Sequence, residues 1–592
     1  MPPPNTPIQV VWLRRDLRIE DHDGLHQAAR RGPVVPLYIV EPAWLADGAF
    51  GTRHWTFVRE CLADIDAALR DLGQPLRVRV GEPVAVLAAL VDEIASGIGE
   101  AADGDAGTIV GGLWVTTELG RRATERDARV AVWAAARGIL WHAAAPDDGL
   151  ARTTVPRPSR LGGGRTAHVA AGELPTAAAL GLASDGLVDL RLDDDGNGWL
   201  AESGRRRVAG GTAAGAMLLA SYLAVRGRDH AAAADDPGAA PLVGSRIGAH
   251  LAWGALAPSA AHAGLRGAEQ ERARRANHPA SPERAAEDEA WRASLALFGE
   301  GLAARGHHHA RFAAQPNLEP GDGLTRGDDS GRDSGHHDAL DIAPDSAPDS
   351  APDSALDVRP DREIKRVDVV NAVDAVDAVD VVNAVNAVNA VNTVDAVDAD
   401  DDAASDAATR LDAWAAGATG RPLVDAAMRQ LRAIGWLPYR LRAIVVSFAV
   451  HDLGLAWPSV GRRLASLCLD YDPAILWPIV RRIAGTLDGS GPRIYNIDRQ
   501  ALTLDPEGTY VRAWLAALVD VPASFVHSPW LMPPPMQTAA RCVVGVDVPQ
   551  PLAMMRGGRS GGRSGGRAAP GAAAGAAEDG GDETPRQLPL GG

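Results

Sequence analysis

Two stretches of the 592-residue chain gather groups that bind charge. Gly244-Ser245-Arg246-Ile247-Gly248 sets a hydroxyl, a guanidinium and the free N–H groups of a helix start side by side, the donors that a diphosphate requires. Gly244 and Gly248 bring no side-chain donor, so Ser245 and Arg246 carry the polar contacts. The second stretch comprises Arg440-Leu441-Arg442 and, further on, Leu469-Asp470-Tyr471-Asp472-Pro473, with charges set in apolar helical sequence. A pair such as Arg442 with Asp470 either ties two helices together or fixes a cation beside a ligand, and the spacing leaves both readings open. His307-His308-His309 carries metal-ligating side chains, but consecutive residues point apart on a helix and no spaced carboxylate or cysteine completes a site, so no metal is expected.

The elements that must hold these groups follow from the apolar periodicity. Val10 to Leu13, Val34 to Val40, Leu76 to Val80 and Thr108 to Val115 are short apolar runs, separated by helical patterns at Asp21–Arg30, about 54–73, from Pro83, and ending near Arg137. That alternation predicts a doubly wound parallel sheet, a Rossmann-like α/β domain, over 1–150. A Gly, Pro, Arg and Asp-rich linker is expected over 151–208, and from Ala213 helical periodicity dominates. The fold class is therefore α/β plus all-α. The helical domain is split into 209–320 and 410–535 by an acidic insertion at 321–409, and a Gly/Arg/Ala-rich tail follows at 536–592.

The insertion contains Ala-Pro-Asp-Ser repeats and a three-residue Val-(Asp/Asn)-Ala repeat, whose period fits neither helix nor strand, and disorder is expected there and in the tail. It also explains the formal net charge of −17: residues 321–409 hold 22 acidic against 6 basic residues, leaving the rest of the chain close to neutral. The bulk acidity therefore does not exclude a nucleic-acid partner. Cys61, Cys468 and Cys542 are too few and too scattered for a disulfide framework or a zinc knuckle, and no leader or membrane-spanning run is read, so a cytoplasmic protein is expected.

Several blocks are longer and more specific than composition requires. They are Val11-Trp12-Leu13-Arg14-Arg15-Asp16-Leu17-Arg18; the Gly244–Gly248 loop followed by His250-Leu251-Ala252-Trp253-Gly254; Thr419-Gly420-Arg421-Pro422-Leu423-Val424-Asp425 running on to Leu431 and Gly435-Trp436; the Asp470–Pro473 segment; and Arg493-Ile494-Tyr495-Asn496. In this order, across about 10–320 and 410–530, the chain resembles the cryptochrome/photolyase family. Trp291-Arg292-Ala293-Ser294-Leu295 and the Asp-Tyr-Asp-Pro sequence are similar to a photolyase-like branch rather than to the best-known dimer-repair enzymes.

The resemblance implies FAD, held by Gly244, Ser245, Arg246, Ile247, Gly248, Arg442, Asp470 and Asp472, with Leu476 at the flavin N5. It implies that Arg442 pairs with Asp470 beside the isoalloxazine, where a fixed cation stabilises an anionic reduced ring. It further implies a damaged-DNA partner met by Trp436 and Arg440, Trp457 as the middle member of an electron-transfer chain, a monomer, and a folate or deazaflavin antenna near Glu118 and the helix from about Arg121. Departures accompany these matches. Val480 stands where the flavin-proximal tryptophan is expected, with Trp477 as a neighbouring donor; Leu476 cannot hydrogen-bond N5; Ala304 takes the place of an aromatic that meets damaged bases. Three readings follow: a light-driven pyrimidine-dimer lyase, ranked first; a non-repairing blue-light sensor; and a drifted scaffold that binds flavin weakly.

Overall fold

A computed structural model describes residues 6–46, 48–98, 109–145, 155–161, 169–182, 208–276, 281–320, 401–487, 489 and 491–552. The first element, β1 (Ile8–Leu13), is buried at every position, as a central strand covered on both faces must be. It is followed by α1 (Asp23–Arg31), β2 (Val34–Val40), α2 (Thr52–Asp71), β3 (Arg77–Val80), α3 (Pro83–Ile98), β4 (Val110–Thr116), α4 (Arg121–Ala136) and β5 (Leu140–Ala144). All pairings are parallel and the strand order is β3-β2-β1-β4-β5. The predicted α/β alternation holds, with β5 added: its Leu-Trp-His-Ala-Ala sequence is too short and too exposed to register as an apolar run.

The sheet is covered on both faces. On one, Ile8, Val10, Trp12, Leu37 and Val115 pack with Leu87, Leu90, Val91, Ile94 and Val130 of α3 and α4. On the other, Val11, Leu13, Tyr38 and Val40 pack with Trp55, Val58 and Leu62 of α2, and this core continues into Ala249, Ala252, Trp253 and Leu469 of the helical part. The order places a crossover between β1 and β4, and in open parallel sheets a ligand crevice opens at the carboxyl ends of the strands flanking such a point.

The remainder is helical among the described residues: α5 (Thr212–Ala224), α6 (Gly248–Ala252), α7 (Pro258–Ala276), α8 (Pro282–Ala314), α9 (Asp401–Ala416), α10 (Pro422–Ile434), α11 (Tyr439–Ser447), α12 (Trp457–Leu467), α13 (Pro473–Ala484), α14 (Ile497–Leu504) and α15 (Thr509–Trp514). Local chemistry sets the ends of the site-bearing helices. Pro422 begins α10 and Gly435, at φ 72°, ends it. The Asp425 carboxylate accepts N–H groups from Thr419 and Gly420 and the Thr419 hydroxyl, which pins the turn before α10. Asp472 caps α13 through Ala474 N–H, and Gly485 closes it in the left-handed region.

Two expected boundaries shift. α9 begins at Asp401, so the last residues assigned to the insertion are helical; Trp414 and Leu411 give it an apolar stripe that the acidic start masks. The tail begins later than residue 536. A helix at Pro534–Ala539 and a bridge between Val544 and Val548 continue the fold, with Cys542 fully buried. The disorder expected for 321–400 and 553–592 lies outside the described residues, as does most of the 151–208 linker. No helix among the described residues is long and apolar enough to cross a membrane.

Candidate flavin site and interdomain cavity

The Gly244–Gly248 loop is held from behind. Arg226 donates to the carbonyls of Leu218, Leu242, Gly244 and Ser245, which ties the start of the loop to α5. At its centre Arg246 takes a left-handed φ of 58°, a conformation that costs a non-glycine residue about 1–2 kcal/mol per residue. Its guanidinium lies over the Trp436 ring, 5.0 Å from the centroid. Nη1 donates to Pro241 O, while Nε and Nη2 are buried and make no hydrogen bond. Burial lowers the Arg246 pKa to about 10, with the Asp470 carboxylate opposing the fall. A buried, strained cation with N–H groups left over fits an anionic group of a ligand.

Arg442 on α11 donates from Nη2 to Asp470 Oδ2 at 2.6 Å and from Nε to Leu437 O at 2.9 Å. Burial disfavours the charge on Arg442, yet the adjacent Asp470 carboxylate holds its pKa above the ordinary arginine value. Asp470 Oδ1 is buried without a partner and would accept an N–H from a ligand ring. Gly248 approaches the same carboxylate: a Cβ there would lie 3.2 Å from Asp470 Cβ and Oδ2. Gly248, Arg246, Trp436, Arg442 and Asp470 thus converge from three separate sequence blocks, and their orphaned polar atoms match the donor and acceptor needs of a dinucleotide. Ile247 is buried, whereas Ser245 is half-buried.

The other expected site residues have partners of their own. Asp472 turns away from the pair: its Oδ2 accepts from Arg305 Nη1 at 2.6 Å and His309 Nε2 at 2.8 Å. Burial raises its pKa, but those two partners overcome this and hold it far below the usual carboxylate range. His309, read in the sequence only as one of a non-metal trio, has this carboxylate as its partner. Leu476 and Val480 are buried on α13. Trp457 meets Trp477 edge to face, with ring centroids 6.2 Å apart. Arg440 is tied to Gln500 through Nε and Nη2 at 3.1 and 3.0 Å. Its chain neighbour Tyr439 is exposed.

A cavity of about 550 Å³ opens between the sheet and the helices, lined by Arg15, Glu118, Arg126, Trp253, Asp472 and Glu319 among others. It lies at the β1/β4 crossover. In its wall, Arg126 bridges Glu41 at 2.9 Å and Glu118 at 2.6 Å, and behind it Arg14 reaches Asp127 at 2.6 Å. Burial pushes the Glu41 carboxyl up to about 7, against the pull of Arg126. Trp44, Phe50 and Tyr471 supply aromatic walls. Glu118, near which an antenna is expected, lines this cavity together with Arg122 and Ala123 of α4.

Sequence reasoning named the Val11–Arg18 block without giving its residues a role. Leu17 N–H donates to Trp253 O and Arg18 Nη1 to Gly254 O, at 3.2 Å in both cases. The block therefore docks onto the segment that follows the Gly244–Gly248 loop. Gly254, at φ 66°, permits this: a Cβ there would stand 2.2 Å from Arg15 O.

Residues 9–98 match the family described as DNA photolyase, and residues 377–561 match the FAD binding domain of DNA photolyase. Both matches are to sequence models of DNA photolyase, one at each end of the chain and in the order that the sequence blocks follow. Among curated proteins it is 41% identical over 144 residues to a cryptochrome DASH of Gloeobacter violaceus, covering 24% of this chain and 29% of that one. It is 40% identical over 151 residues to the deoxyribodipyrimidine photo-lyase of Escherichia coli, covering 25% of this chain and 31% of that one. The matched segment thus spans less than a third of either relative. The fold extends further: a cryptochrome structure from Synechocystis aligns with TM-score 0.64 at 20% identity, over 93% of this chain and 96% of that one. An archaeal photolyase structure from Sulfolobus tokodaii, described with two FAD molecules, aligns with TM-score 0.56 at 18% identity, over 88% of this chain and 93% of that one.

Proposed function

We propose that the chain is an FAD-dependent photolyase that reverses pyrimidine dimers in DNA under blue light. The observation that carries this reading is the convergence of Arg246, with its two buried and unbonded N–H positions, on the Arg442–Asp470 pair. FAD, when bound, supplies the light-driven electron transfer. Arg246 and the Gly244–Gly248 backbone bind its diphosphate. Arg442 holds a fixed positive charge near the ring, and Asp470 Oδ1 accepts a ring N–H. Leu476 excludes water from its flank without donating a hydrogen bond. Trp457 and Trp477, in edge contact, form the route by which an electron enters from the protein surface. Arg440, with the exposed Tyr439 next to it in the chain, meets the DNA backbone.

The interdomain cavity is the place for a second chromophore, a folate or deazaflavin, stacked on its aromatic walls with its acidic groups toward Arg15 and Arg122. The second reading, a non-repairing blue-light sensor, is favoured by Ala304, which is exposed and offers no aromatic to a damaged base. Purified protein loaded with FAD, reduced, and incubated with dimer-containing DNA under blue light separates the two. Restoration of intact pyrimidines supports the lyase; flavin photochemistry without restoration supports the sensor.

A further inference from the structure

The segment that carries Asp470 is gripped along its backbone by side chains that sit far away in the sequence. Arg53 donates to Leu467 O, His54 Nε2 to Cys468 O at 2.8 Å, Trp253 Nε1 to Leu469 O at 3.1 Å, and Arg15 Nη1 to Tyr471 O at 2.8 Å. Arg53 also bonds Leu431 O and Arg432 O at the end of α10, so the two ends of the Arg442–Asp470 frame share one anchor. Trp253 binds the carbonyl of the peptide that joins Leu469 to Asp470, and Arg15 binds that of the peptide between Tyr471 and Asp472. The backbone is thus fixed immediately before Asp470 and again one peptide beyond it, which restricts the intervening Asp470–Tyr471 peptide and holds the Asp470 Cα where its carboxylate reaches Arg442.

We propose that Arg15 is a positioning residue for the flavin site: from the N-terminal domain, it holds the Asp470 carboxylate in register with Arg442. This rests on the flavin reading of that pair. Arg15 is suited to the task because it is itself immobilised. Its guanidinium lies 4.3 Å from the Trp253 ring centroid and 5.5 Å from that of Tyr471, and Nε stands 3.8 Å from Glu118. Its neighbours in the motif have other partners. Arg14 pairs with Asp127, Asp16 accepts from Arg14 N–H and the Thr116 hydroxyl, and Arg18 bonds Gly254 O. A flat guanidinium can stack between two rings and donate in its plane at the same time, which an ammonium cannot. Arg15 also lines the interdomain cavity, so the charge state of Glu118 and any ligand there reach Asp470 through one side chain.

The test uses the full chain as wild type, R15Q, R15K, D470N and the R15Q/D470N double variant. Each is assayed for its FAD dissociation constant, its melting temperature and amide exchange over residues 469–476 without FAD. The expected result is that R15Q weakens FAD binding about tenfold, the worth of ~1.4 kcal/mol, with a near-normal melting temperature, and that R15K is affected less. The loss disappears in the D470N background, because Arg15 acts through Asp470, and the segment exchanges faster in R15Q. Unchanged affinity and exchange in R15Q, or a loss that persists beside D470N, overturns the inference. If R15Q or D470N melts too low to assay, R15K against wild type carries the affinity and exchange comparison. A wild type that takes up no FAD overturns the flavin reading instead, and the exchange difference alone then decides whether Arg15 holds the Asp470 segment.

Discussion

The Arg442 guanidinium and the Asp470 carboxylate meet at 2.6 Å with only 15% and 13% of their side chains exposed. Two charges so deeply placed are tolerated because each neutralises the other and Arg442 also bonds Leu437 O. Arg442→Ala removes one partner and leaves a buried carboxylate uncompensated, a change that costs about 3–5 kcal/mol. Urea unfolding of the variant against wild type measures it, and Arg442→Lys is expected to lose less because it keeps the charge.

His54 gives the fold an acid limit. Its Nδ1 accepts Gly51 N–H at 3.1 Å and its Nε2 faces Cys468 O at 2.8 Å, so the ring is neutral with its proton on Nε2. Burial lowers the pKa to about 3, with the Arg53 and Arg15 charges adding to the fall and the Cys468 carbonyl opposing it. The unfolded chain takes up a proton near pH 6.5 while the folded chain does not, so stability is full above that pH and is lost as pH falls toward 3. Between pH 6.5 and 4.5 the loss from this group is ~2–3 kcal/mol. Urea unfolding at both pH values is expected to show that His54→Gln, although less stable at neutral pH, loses less on acidification than wild type.

Gly254 is a steric requirement rather than a convenience. At φ 66°, a side chain there meets Arg15 O at 2.2 Å and Asp16 Cα at 2.5 Å. Gly254→Ala is expected to cost ~2–4 kcal/mol through backbone strain and displaced packing. Thermal unfolding measures the cost, and the same variant of exposed Gly181, where nothing lies within 4 Å but φ is 66°, is expected to lose less.

Trp457 and Trp477 are in edge contact, with ring centroids 6.2 Å apart, and they form the proposed electron route. Trp477→Phe and Trp457→Phe are each expected to slow light-driven reduction of bound FAD by at least tenfold while leaving FAD content unchanged, since phenylalanine packs similarly but does not accept the hole. Transient absorption after a blue flash reads the rate. Equal rates in all three proteins would remove the pair from the route.

The fold was legible because its signals are local. Continuous apolar strands such as Val34–Val40 and the Pro422 and Gly435 helix limits announce themselves within a few residues. So were Arg442, Asp470 and Arg246, which lie in distinctive blocks. What the sequence hid depends on three-dimensional meetings. Asp472 and Asp470 are two residues apart, yet one joins Arg305 and His309 while the other joins Arg442. No spacing rule reports that an N-cap turn points them apart. The carbonyl grip by Arg15, His54 and Trp253 is equally silent, because backbone acceptors carry no residue signature.

The account stands on FAD held between Arg246 and the Arg442–Asp470 pair, and the visible absorption spectrum of the purified full-length protein tests this most directly. The expected result is a yellow protein, or one that turns yellow on incubation with FAD, with flavin bands at one equivalent per chain that Arg246→Ala abolishes. A wild-type protein that stays colourless in excess FAD, or Arg246→Ala protein that retains the full equivalent, would contradict it.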